Sequence, residues 1–324
     1  VDSLQALLQA GANIETRDQH GATPLHTATM HNCVDSLQAL LQAGANIETR
    51  DQHGATPLHT ATIHNCVDSL QALLQKHANI EAKNSLGDTP LHIAIGTKHK
   101  GILRILLEAG ANIAAENQLK DTPLHLAIQT KQEGILRILL QAGANKEALN
   151  DKNETPLATA IRKGHKRCTW VLLEAGANIE ASNTFEPTPL REAVVQGHAD
   201  LVQILLEAGA NKETPNRKNE TPLVTAIRKG HKRCTWVLLE AGANIEASGK
   251  FKPTPLLAAI EEGHTDLIQM LLEAGASREI KTNSTLLWKY TMRKAQLHGK
   301  DKLKKIKQIL IEAGVDINKA SIMD

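Results

Sequence analysis

Aromatic side chains are nearly missing from this chain of 324 residues: three Trp, one Tyr and two Phe make up 2% of it, although 41% is hydrophobic. Compact cores lean on aromatic rings because each buries a large area, and one core stops growing near about 250–300 residues. The apolar mass here is Leu, Ile, Ala and Val, which excludes one large globular core and favours many small, similar packing units. An excess of one charge is missing too: 37 Lys+Arg against 35 Asp+Glu leaves +2, so no global field selects a nucleic acid or a membrane surface. No apolar run reaches the roughly 18 residues of a membrane span, and no basic-then-apolar leader opens the chain. Four cysteines do not make a disulfide framework at this length, which favours a reducing, cytoplasmic setting.

What is there is a repeat. Thr-Pro pairs begin at Thr23, Thr56, Thr89, Thr122, Thr155, Thr188, Thr221 and Thr254, every step being 33. Gly-Ala pairs close most units, from Gly11 and Gly44 to Gly275. In residues 18–50, Asp18-Gln19-His20-Gly21 forms a turn. Thr23 caps a helix and Pro24 opens it, where a missing N–H costs nothing. Leu25 and Ala28 point into a narrow seam. A second helix from about Val34 to Ala43 carries Leu37, Leu40 and Leu41 on one face, and Gly44 ends it in the left-handed conformation. One such pair cannot bury its apolar face alone, so neighbours must stack.

The runs Thr23-Pro24-Leu25-His26, Thr56-Pro57-Leu58-His59, Thr89-Pro90-Leu91-His92 and Thr122-Pro123-Leu124-His125 resemble the ankyrin repeat signature, as do the Leu-Leu-x-Ala-Gly-Ala-Asn closures. The resemblance implies an all-α solenoid of about nine to ten helix-turn-helix units, with β-turn fingers and a concave groove lined by fingers and first helices. It also implies that His26, His59, His92 and His125 hydrogen-bond backbone groups between repeats. The expected organisation is a partial repeat over 1–17, eight repeats over 18–281, and a degenerate capping repeat over 282–324. Val1 falls inside a second helix and leaves Leu4, Leu7 and Leu8 uncovered, so further repeats or another domain are expected upstream. From Thr285 to Gly314 is 29 residues against 21 from Thr254 to Gly275. About eight inserted residues in a longer first helix or a longer connection would account for this.

Copying is visible at two levels. Residues 1–33 and 34–66 differ only at Met30 and Ile63, and residues 154–186 recur at 220–252 with few changes. Departures mark weak points. Lys76-His77 replaces an Ala-Gly closure. Lys120, Asn153, Glu186, Asn219 and Lys252 replace the turn glycine, and Ala158, Arg191, Val224 and Leu257 replace the signature histidine.

The resemblance implies that finger-tip and inner-helix groove positions are the ones that most often touch partners. Finger tips carry His20, His53, Leu86, Leu119, Lys152, Phe185, Lys218 and Phe251. Groove positions include His31, His64, Arg162, Lys163, Arg228 and Lys229. Exposed Leu and Phe at tips read as interface anchors, and Trp170 and Trp236 fall on second helices at normally exposed convex positions. The tip and groove histidines raise a metal site, but no Cys or carboxylate joins them at ligand spacing, so surface histidine doubled by copying is the preferred reading. Cys168 and Cys234 read as small core residues, and Cys33 and Cys66 lie at inter-helix turns. The run Arg162-Lys163-Gly164-His165-Lys166-Arg167, repeated from Arg228, suits an acidic protein or a solvated turn. A continuous basic stripe with stacking aromatics is missing, which disfavours nucleic acid. Between Arg278 and Lys307 ten Lys+Arg face two acids, and a solvated capping-helix face is preferred to a nuclear-import signal.

No catalytic motif occurs: there is no G-x-S-x-G, H-E-x-x-H or phosphate-cradling glycine loop. The reading is a monomeric, non-enzymatic module without cofactor or metal that binds a protein, acidic at the middle groove. The alternative is the recognition arm of a larger effector, toxin or enzyme, whose setting would be host cytoplasm or nucleus.

Overall fold

The computed structural model describes residues 2–181, 187–247, 253–277 and 285–315. Among them are nineteen helices and no strand. The chain divides into two compact units, Val1–Ala160 with Glu174–Ala177, and Ile161–Leu173 with Asn178–Asp324.

In the first unit the short inner helices are Pro24–Met30, Pro57–Ile63, Pro90–Gly96 and Pro123–Gln129, and each is followed by an outer helix, as Val67–Gln75 follows Pro57–Ile63. Each inner helix packs on the inner helix of the next repeat. Seven residues make about two turns, too few for a stable isolated helix, so the stacking supplies the stability. Thr56 caps its helix in extended conformation, with Pro57 in the first turn. Leu25, Leu58, Leu91 and Leu124 are buried at equivalent positions, as are Ala28, Ala61, Ala94 and Ala127, whose small side chains let inner helices approach. Each buried Leu contributes roughly 1.5–3 kcal/mol.

Two devices join repeats besides packing. The N–H of Asn46 donates to Glu15 Oε1 at 2.7 Å, and Asn79 and Asn112 repeat the bond to Glu48 and Glu81 at 2.6 Å. The fingers also pair: the N–H of Gln52 donates to the His20 carbonyl, that of Ser85 to His53, and that of Gln118 to Leu86. Gly21 has φ +73, and a Cβ there would lie 2.9 Å from the Gln52 nitrogen. Glycine takes this turn and this approach without strain, although Lys120 adopts the same turn position at φ +52 and the equivalent bond from the Asp151 N–H to the Leu119 carbonyl is kept. The closure at Lys76-His77 keeps the left-handed geometry without glycine, with His77 at φ +61.

The second unit repeats the plan with inner helices Pro189–Gln196, Pro222–Arg228 and Pro255–Glu261. Its last pair, Thr285–Gln296 and Lys300–Glu312, has 12 and 13 residues against 7 and 9 in the preceding Pro255–Glu261 and Thr265–Glu273. The insertion expected in the first helix or the connection is therefore shared between both helices, while three residues still join them. Paired helices that lengthen together keep each other's apolar stripe covered, and Ile306 and Leu310 are buried.

Candidate protein-binding surface

The finger-and-inner-helix side of the first unit begins with the turn. Asp18 Oδ1 accepts from the N–H groups of His20 and Ala22, which holds its carboxyl below the usual range. Asp51 does the same for His53 and Ala55, and Asn84 and Asn117 for the next two fingers. Each tip is thus set by its own Asp or Asn and by the backbone bond to its neighbour. On this frame Leu86 is 65% exposed and Leu119 56% exposed. His20 and His53 are exposed and contact Gln19 and Gln52 amides at 3.2–3.4 Å. His31 and His64 cap the inner helices and are exposed. No group of three or more metal-ligating side chains occurs among the described residues.

Below the fingers lies the histidine seam. His26, His59, His92 and His125 accept at Nδ1 from the N–H of the capping threonine three residues earlier. Their Nε2 atoms donate to the carbonyls of Ala55, Asp88, Asp121 and Glu154 in the following finger, at 3.1–3.2 Å. Burial is the main cause that pushes all four imidazoles below the ordinary histidine pKa. The expected inter-repeat bonds are all present. Where Ala158, Val224 and Leu257 replace the signature histidine, Thr155, Thr221 and Thr254 Oγ1 accept from their N–H groups.

Carboxylates join the groove floor further along. Asp121 is buried and takes Gln129 Nε2 at 2.7 Å. Lys152 at the next tip is exposed.

In the second unit the basic turns are largely paired within the protein. Arg228 Nη2 lies 3.0 Å from Glu261 Oε2, Nη1 2.6 Å from Glu262 Oε1, and Nε 2.9 Å from Glu220 Oε1. Burial works against the Arg228 charge, but the three carboxylates more than offset it and its pKa is raised. Lys166 pairs with Asp200, which Arg233 also reaches at 3.0 Å, and Lys232 pairs with Asp266. His231 Nε2 reaches back to the Val195 carbonyl at 3.2 Å. Arg162 is half-buried, and Lys163, Lys218 and Lys229 are exposed. Lys163 and Lys229 each sit beside a glycine of positive φ, Gly164 and Gly230.

Trp170 and Trp236 are 48% and 50% exposed on the outer helices Lys166–Glu174 and Lys232–Glu240, a surface separate from the fingers. Phe185 and Phe251 lie outside the described residues. Cys168 and Cys234 are buried, and burial pushes the Cys234 thiol up to about 11, so it is unreactive at neutral pH. No helix is long and apolar enough to cross a membrane among the described residues.

Sequence reasoning missed the carboxylate partners of Arg228. The signal available was the interval itself: Glu261 stands 33 residues from Arg228, so consecutive repeats carry opposite charges at one register position.

Comparison with known proteins bears on this surface. The family model described as ankyrin repeats (3 copies) matches residues 1–84, 77–150, 115–183, 142–216, 180–249 and 211–285. No curated protein matches the chain. Among solved structures, the human ASB11 ankyrin repeat domain is similar, with 26% sequence identity and a TM-score of 0.56, over 69% of this chain and 99% of that one. Ankyrin repeats generally serve as protein–protein interaction modules. The chain belongs to the ankyrin-repeat family.

Proposed function

We propose that the chain is a protein-binding module that recognises its partner through the finger tips and adjoining inner-helix ends, without chemistry of its own. The observation that carries this is the tip pair Leu86 and Leu119, exposed by 65% and 56% on fingers tied by a backbone hydrogen bond. Solvated leucines on a rigid frame gain apolar burial on binding at little ordering cost. The neighbouring His20 and His53 tips add polar, adaptable contacts. On the second unit, the exposed Lys218 and Lys229 would attract an acidic partner to the inner-helix side.

The experiment is selection of peptide ligands from a displayed library against the intact chain, followed by fluorescence anisotropy with the selected peptide. Leu86→Ser with Leu119→Ser is expected to weaken binding by about tenfold or more while the melting temperature stays unchanged. Selected ligands indifferent to the tip leucines would sink the reading.

A further inference from the structure

Arg191 occupies the place of the signature histidine. Thr188-Pro189-Leu190-Arg191 aligns with Thr122-Pro123-Leu124-His125, and Arg191 stands before Glu220 by the interval that separates His125 from Glu154, 29 residues. A histidine there ends its reach at the next finger's carbonyl. The arginine is longer, and its Nε is buried with no hydrogen-bond partner. Burial lowers its pKa, which Glu220 and Glu192 offset only in part. A scaffold position has thus been given to a cation whose Nε the scaffold leaves without a hydrogen bond.

That cation opens into a basin of about 490 Å³ on the inner-helix side of the second unit, within the range of ligand pockets. Among the described residues five cations line it (Arg191, Arg217, Lys218, Arg228 and Lys229) against two carboxylates, Glu192 and Glu220. Both carboxylates are engaged, Glu192 by the Gln196 amide at 2.8 Å and Glu220 by Arg228 and the Asn216 amide. Arg228 is held by Glu261 and Glu262. Lys218 and Lys229 are exposed and make no ion pair among the described residues. Pro187 and Val195 supply apolar wall.

We propose that this basin binds a carboxylate side chain of an acidic peptide segment, with Arg191 as the central contact and Lys218 and Lys229 at the rim. This deepens the partner-binding reading above and rests on it. Guanidinium is the donor best matched to a planar carboxylate, and the apolar wall fits the stem of a glutamate. Among the described residues no aromatic lines the basin to stack a base. Val195 and Lys229 stand at inner-helix C-termini, where the helix dipole opposes any anion, and a doubly charged phosphate more than a singly charged carboxylate.

The test uses the intact chain and a fluorescein-labelled peptide of alternating Glu and Leu, with the Gln-for-Glu peptide as its neutral counterpart. Arg191→His restores the signature residue, so the fold is retained and a melting curve confirms it. It is expected to weaken acidic-peptide binding about tenfold, or about 1.4 kcal/mol, with Lys229→Gln weakening it by a smaller factor. Lys163→Gln, at the same register two repeats earlier, is expected to leave it unchanged. Equal binding of the neutral peptide, no effect of Arg191→His, or an equal loss with Lys163→Gln overturns the proposal. So does displacement of the peptide by millimolar inorganic phosphate, or tighter binding of a single-stranded RNA with the same Arg191 dependence. If a library-selected ligand loses binding with the tip-leucine variant while Arg191→His changes nothing in either assay, this proposal falls and the partner-binding reading stands. If neither variant matters for that ligand, both fall.

Discussion

His125 Nε2 donates to the Glu154 carbonyl at 3.2 Å while its Nδ1 accepts from the Thr122 N–H. One neutral tautomer serves both bonds. Protonation would set a second N–H against the Thr122 N–H, and His26, His59 and His92 are built alike. Their folded pKa values lie below the ordinary one because of burial, so the unfolded chain binds protons more readily than the folded chain. Their stabilising contribution is fully present above the unfolded value of about 6.5 and is lost as pH falls towards the folded values. Melting curves at roughly pH 7.5 and 5.5 are expected to show a lower midpoint in acid, and a smaller drop once His59→Gln and His92→Gln are introduced together. An unchanged parental midpoint would contradict this.

The fingers give a sharper contrast between two glycines. Gly21 and Gly44 have φ +73 and +90, but a Cβ at Gly44 meets nothing within 4 Å, whereas at Gly21 it meets the Gln52 nitrogen at 2.9 Å. Gly44→Ala is expected to cost about 1 kcal/mol of backbone strain. Gly21→Ala adds the crowding of the Gln52 nitrogen and is expected to cost about 1 kcal/mol more, with the Gln52-to-His20 bond retained as its counterpart from Asp151 to Leu119 is beside Lys120. Urea unfolding measures both, and equal costs would show that the fingers do not depend on close approach. By the same logic His77→Gly, at φ +61, is expected to stabilise by about 0.5–1 kcal/mol.

Glu261 is buried to 2% side-chain exposure between Arg228 and Lys294, and its backbone oxygen takes His298 Nε2 at 2.9 Å. Glu261→Gln removes the most buried of the three carboxylates around Arg228 and is expected to destabilise by about 2 kcal/mol, with little dependence on salt. Lys232→Gln breaks only the exposed pair with Asp266 and is expected to leave the unfolding midpoint within error. If the two substitutions cost the same, the Arg228 cluster is not the structural device described above.

Much of this fold was legible because each repeat writes its boundaries in backbone chemistry. Thr56-Pro57 must start a helix, and Gly44 must end one, whatever surrounds them. The seam histidines were legible through the resemblance, since Thr-Pro-Leu-His places the ring at the third helical residue. What was not legible depends on side-chain reach between repeats. Arg228 and its three carboxylates lie on consecutive repeats, and nothing local to Arg228-Lys229 distinguishes a paired guanidinium from a docking cation. Arg191 was visible as a departure from the signature, but its buried, unpartnered Nε required the packed neighbours. The last repeat showed its insertion as a count, and only the helices divided it between Thr285–Gln296 and Lys300–Glu312.

The tip leucines separate stability from binding. Leu86 and Leu119 are solvated, so Leu86→Ser with Leu119→Ser is expected to change unfolding free energy by under about 0.5 kcal/mol while it weakens a selected ligand about tenfold. A substantial loss of stability would assign these side chains to the scaffold.

The most direct test of the central claim is a hydrogen-exchange footprint of a library-selected peptide on the intact chain. The account predicts protection at the fingers around Leu86 and Leu119 and along the adjoining inner-helix ends. Protection confined to the outer helices Lys166–Glu174 and Lys232–Glu240, where Trp170 and Trp236 are exposed, would contradict it.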